Sequence, residues 1–148
     1  MSRVFVLAAW NKSKAALDRV NGRGIVLGTV AGALISAVIV GVHSLWRYDG
    51  LYGHVIGFWA VFGAVCSLIG AVGGTIYLQA MYADKLAESG SSDAAKLAAK
   101  LSTVYPLAGV AGVFLVYGVV FSPEPVLGAV LSISFVVGGL VAMRNVRF

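Results

Sequence analysis

Four stretches of this chain contain no Asp, Glu, Lys or Arg: Gly24 to Trp46, Leu51 to Ala83, Leu101 to Pro123 and Pro125 to Met143. Runs this long permit few folds, because about 20 apolar residues at 1.5 Å each carry a helix across roughly 30 Å of hydrocarbon. Membrane-crossing β-strands would alternate in segments of about ten residues, whereas these runs are continuous and rich in Leu, Val, Ala and Gly. The sequence therefore predicts an all-α integral membrane protein with four transmembrane helices, over about 24–46, 52–82, 102–121 and 125–143. Composition agrees: 59% of the residues are hydrophobic and 11% charged, against about a quarter charged in soluble domains.

The basic residues orient the spans. Arg3, Lys12, Lys14, Arg19 and Arg23 precede the first span, Lys85, Lys96 and Lys100 lie in the segment 84–100, and Arg144 and Arg147 end the chain. Four crossings place all three regions on one face, leaving only Arg47 opposite, so the positive-inside rule predicts a multi-pass protein of the cell membrane, N-in and C-in. The net charge of +5 is thereby explained by membrane flanks and anionic lipid, and no nucleic-acid partner is expected. Residues 1–23, mixing Phe5, Trp10 and Leu17 with five basic residues, predict an amphipathic segment lying in the membrane interface. Residues 144–148 are expected to form a cytoplasmic tail.

Two short connections, Arg47 to Gly50 and Ser122 to Pro125, divide the transmembrane domain 24–143 into two antiparallel hairpins. Between them the segment 84–100 reads as a cytoplasmic loop, broken at Gly90, Ser91 and Ser92, with Asp93 capping a short helix. Pro106 predicts a kink or the first turn of the third span.

Small residues recur at helical spacing. Gly24, Gly28, Gly32 and Ser36 form a row on the first span; Gly63 and Ser67, and Gly70 and Gly74, mark the second; Gly112 the third; Gly128, Ser132 and Gly138 the fourth. In lipid, helix association gains little from hydrophobicity, and such rows supply close backbone contact instead, either within the bundle or against other membrane subunits.

Candidates for chemistry are few. His43 and His54 flank the first short connection, where an antiparallel hairpin would bring both imidazoles to similar depth and let them hold a haem b or a metal. Two ligands leave a structural metal site incomplete, and histidines at headgroup level ordinarily meet water and lipid, so no cofactor is expected. Cys66 lies alone within the second span and reads as a small apolar side chain. The spans lack the ionisable groups through which coupled transporters bind protons or cations, which weighs against a transporter or channel. Their Ser and Thr hydroxyls are expected to bond to carbonyls within their own helices. Nucleophile elbows, zinc-protease and phosphate-loop motifs are missing, so no enzyme is expected.

The segment Gly57-Phe58-Trp59-Ala60-Val61-Phe62-Gly63 resembles the start of a helix in small membrane proteins associated with energy-conserving membrane complexes. The resemblance covers about twenty residues, carries over no functional residue, and stops short of the acidic, tyrosine-rich tail of those proteins. Together these features predict a non-catalytic structural or accessory subunit of a larger membrane assembly, such as a respiratory complex. Its expected partners are other integral membrane subunits, in a hetero-oligomer, and lipids. The rival readings are a small transporter or channel, a membrane protein of an enveloped virion, and a haem-binding electron-transfer subunit using His43 and His54.

Overall fold

A computed structural model describes residues 11, 22–50, 52–121, 125–146 and 148. They form α1 (Gly22–Tyr48), α2 (Gly53–Ser89), α3 (Ser92–Phe121) and α4 (Pro125–Arg144), with no strand among the described residues. The helices α1, α2 and α3 are each long and apolar enough to cross a membrane, and α4 is an apolar helix of 20 residues. The surface suits that solvent: Leu34, Val38, Val113 and Val116 are each more than 60% exposed, a cost that lipid removes and water does not.

α2 and α4 occupy the centre, each in contact with all other helices, while α1 and α3 do not touch each other among the described residues. The main apolar cluster lies between α2, α3 and α4 and contains Leu78, Ala99, Leu107, Ala111, Phe135 and Met143. Phe135 meets Phe114 at a ring distance of 5.5 Å. α1 joins the other side of α2 and α4 through glycine and serine.

The structure departs from the sequence reading at the connections. α1 already begins at Gly22, ahead of the charge-free run, and the segment 84–100 is helix rather than loop except at the Gly90 joint. Polar Ala-, Lys- and Glu-containing sequence propagates a helix outside the lipid as well as apolar sequence does inside it, so loss of hydrophobicity did not mark a helix end. Gly90 ends α2 in the left-handed conformation (φ 65°), with its N–H bonded to the Leu86 carbonyl, a position that glycine fills at least cost. Asp93 sits in the first turn of α3 and pairs with Lys96 at 3.6 Å. Lys85 donates to Glu88 at 2.8 Å, and this hydrogen bond, with the carboxylate's charge, holds the ammonium pKa above its ordinary value.

Pro106 lies inside α3, which runs on to Phe121. Asp49 adopts a left-handed φ of 53° after α1, and forms no ion pair with Arg47 among the described residues. The expected interfacial segment 1–23 lies outside the described residues except for Asn11, Gly22 and Arg23, as does the Ser122 to Glu124 part of the second short connection.

Candidate functional site

The best-defined arrangement is a seam where α1, α2 and α4 meet through small residues. Gly28 and Gly32 on α1 are buried, as are Gly63, Ser67 and Gly70 on α2 and Ser134 and Gly138 on α4. Without side chains at the glycines, each helix approaches until its neighbour occupies the Cβ position. A Cβ on Gly32 would fall on the Ser67 side chain, and one on Gly63 on that of Ser36. On Gly70 it would fall on the Phe135 carbonyl, and on Gly138 on the Ser67 backbone. Gly24 has looser contacts, 3.2 Å to Asn145 and 3.3 Å to the Ala142 carbonyl, and Gly74 has ordinary ones at 3.6 Å or more.

Close approach brings hydroxyls to carbonyls on other helices. Ser36 donates to the Trp59 carbonyl at 2.8 Å, Ser67 to that of Gly28 at 2.6 Å, and Ser134 to that of Gly32 at 3.3 Å. A second contact joins α3 to α4: Ser132 donates to the Ala111 carbonyl at 2.7 Å, and Gly118 faces Gly128 with backbone in the place of either Cβ. The expectation that hydroxyls bond within their own helix therefore holds for Thr29, Thr75 and Thr103, which donate to the carbonyl four residues back, and fails for these four serines. For Ser36, Ser67 and Ser134 the physical difference is glycine on the facing helix, which leaves the partner carbonyl within reach of a one-carbon side chain; Ser132 reaches the carbonyl of another small residue, Ala111.

Ser67→Ala is expected to lower stability by about 0.5–1.5 kcal/mol, the range for interhelical hydrogen bonds in membranes. The Gly28 carbonyl lies within α1 and retains its helical partner, which keeps the loss small. Unfolding of the variant in mixed micelles measures it, and a loss above about 3 kcal/mol would show that the serine acts through packing instead.

The two histidines occupy different surroundings. His43 is buried, 7% exposed, and meets Tyr48 edge-on at 6.3 Å; His54 is exposed and meets Tyr52 at 6.1 Å. No group of three or more His, Cys, Asp or Glu side chains that could hold a metal occurs among the described residues.

Gly112 stands apart from the other packing candidates, since it is exposed and nothing lies within 4 Å of the place a Cβ would take. Gly109 is equally open, and the two glycines, with Val113, Val116, Tyr117 and Phe121, line an outward groove of about 480 Å³ on α3. Sequence reading passed over Gly109 and Gly118. Gly109 lies three residues before Gly112, and Gly118 lies across the proline turn from Gly128, so glycines facing each other across that turn are the signal that would have found Gly118.

The chain matches no family model, no curated protein and no solved structure.

Proposed function

We propose that this chain is a non-catalytic structural subunit of a larger membrane assembly, and that the outward groove of α3 receives a helix of a neighbouring membrane subunit. The observation that carries the reading is the open floor at Gly109 and Gly112. A glycine inside a helix is about 1 kcal/mol less favourable than alanine. At Gly28, Gly32 and Gly138 that cost is offset by close packing inside the bundle, but at Gly109 and Gly112 the chain itself supplies no such contact. A partner helix approaching as closely as α4 approaches α2 would supply it. Serine hydroxyls meanwhile bond to carbonyls in the seam, so these polar groups hold helices together.

Both termini are placed on the cytoplasmic face of the cell membrane, in two antiparallel hairpins. The distribution of basic residues supports that orientation, and the facing of Gly32 with Ser67 and of Gly63 with Ser36 supports the first hairpin. The likeness of the Gly57 to Gly63 segment to small membrane proteins associated with energy-conserving membrane complexes supports an assembly of that type. Phe58, Trp59 and Phe62 pack on one another there, with Phe58 and Phe62 at 4.7 Å.

The test is purification of tagged full-length chain from its native membrane in mild detergent, compared with a Gly109→Leu/Gly112→Leu variant. Other integral membrane proteins should accompany the wild type and fall by about tenfold or more with the variant, as loss of about 1.4 kcal/mol or more of contact requires, while the variant accumulates and unfolds like the wild type. Unchanged partners would overturn the groove. Wild-type chain that arrives alone, or only with copies of itself, would overturn the hetero-oligomer, and ion or solute flux through liposomes holding this chain alone would establish a transporter in its place.

A further inference from the structure

We infer that the cleft between the start of α3 and the end of α4 binds an anionic glycerophospholipid, its phosphate between Lys100 and Arg144 and one acyl chain along the apolar wall. The cleft has a volume of about 280 Å³ and is lined by Leu97, Lys100, Leu101, Val104, Leu140, Met143 and Arg144, with no acidic side chain. Two cations sharing one cleft repel each other unless an anion lies between them. The basic residues nearby in sequence have their own carboxylates, Lys85 with Glu88 and Lys96 with Asp93, whereas neither Lys100 nor Arg144 forms an ion pair among the described residues.

Both cations stand at the edge of the apolar runs. Lys100 immediately precedes the charge-free run that begins at Leu101, and Arg144 immediately follows the one that ends at Met143, so both stand where hydrocarbon gives way to headgroups. Leu101, Val104 and Leu140 are 57%, 44% and 47% exposed, a dry wall that a free inorganic anion would leave uncovered and an acyl chain would cover. Charge and apolar surface together therefore select an anionic lipid. The inference needs only the membrane placement of α3 and α4, and stands or falls separately from a partner subunit at Gly109 and Gly112.

Delipidated full-length chain in detergent, offered equal amounts of phosphatidylglycerol and phosphatidylcholine, should retain the anionic lipid by native mass spectrometry with a preference of about thirtyfold. That is the product of the five- to sixfold that each basic residue near a membrane surface contributes. Lys100→Gln/Arg144→Gln should abolish the preference and Lys85→Gln/Lys96→Gln should leave it, with equal helicity throughout. Equal retention of the two lipids by the wild type, a comparison that needs no variant, would overturn the inference. So would equal losses in both double variants, which would mean diffuse surface charge, or displacement of the lipid by inorganic phosphate alone, which would mean an anion site without an acyl groove.

Discussion

A Gly138→Val variant should lose about 3 kcal/mol or more of bundle stability, the upper part of the range for overpacking a closed interior. The added Cβ would fall on the carbonyl, Cα and hydroxyl of Ser67, and backbone cannot step aside as the end of a flexible side chain can. Ser67 in turn carries the 2.6 Å hydrogen bond to Gly28, and Gly28 faces the Gly138 carbonyl. One substitution therefore separates α4 from α2 and α1 together. Gly73→Val is the control, because Gly73 is exposed with nothing within 4 Å of its Cβ position; it should shift stability by less than about 1 kcal/mol. Denaturation of both variants in mixed micelles checks the pair, and a Gly138→Val protein as stable as the control would mean that the helices do not meet this closely.

Phe135→Ala should cost about 2 kcal/mol, less than the roughly 3–5 kcal/mol typical of a buried Phe→Ala change in a water-soluble core. Phe135 is 5% exposed, belongs to the cluster with Leu78, Leu107 and Met143, and packs against Phe114. Truncation forfeits those contacts, but the unfolded reference chain stays in lipid, so the part of the usual cost that comes from transfer to water disappears. Phe135 also borders a small apolar cleft of about 150 Å³ beside Gly73, Pro106 and Leu107, which the substitution would enlarge. Unfolding in micelles measures the loss, and a value above about 5 kcal/mol would imply that the core behaves as it does in water.

The helices were legible because the absence of ionised side chains over twenty residues is a physical requirement of lipid rather than a statistical preference. The four-residue recurrence of Gly24, Gly28, Gly32 and Ser36 likewise marks a real face, for all four are buried. Which neighbour each small residue meets was not legible. Gly112 has the same local spacing as its buried counterparts and differs only in what stands opposite. The ends of α2 and α3 were misplaced because hydropathy reports the solvent and not the backbone: Asp84 to Ser89 and Ser92 to Lys100 leave the apolar run while remaining helical. Burial of His43 against exposure of His54 depends on the rotation of each helix about its axis, which apolar runs of nearly uniform composition leave undetermined.

The length of α2 has a mechanical consequence. Its 37 residues extend about 55 Å, against roughly 30 Å of hydrocarbon, so with its apolar run centred in a bilayer the joint at Gly90 would stand clear of the hydrocarbon as the tip of a stiff rod. With that tip about 30 Å from the midplane, a lean of some 20°, ordinary for a spanning helix, sweeps it sideways by roughly 10 Å. Slight changes in bilayer thickness would thus be converted, by leverage alone, into displacements on the scale of a helix diameter at the water-facing end.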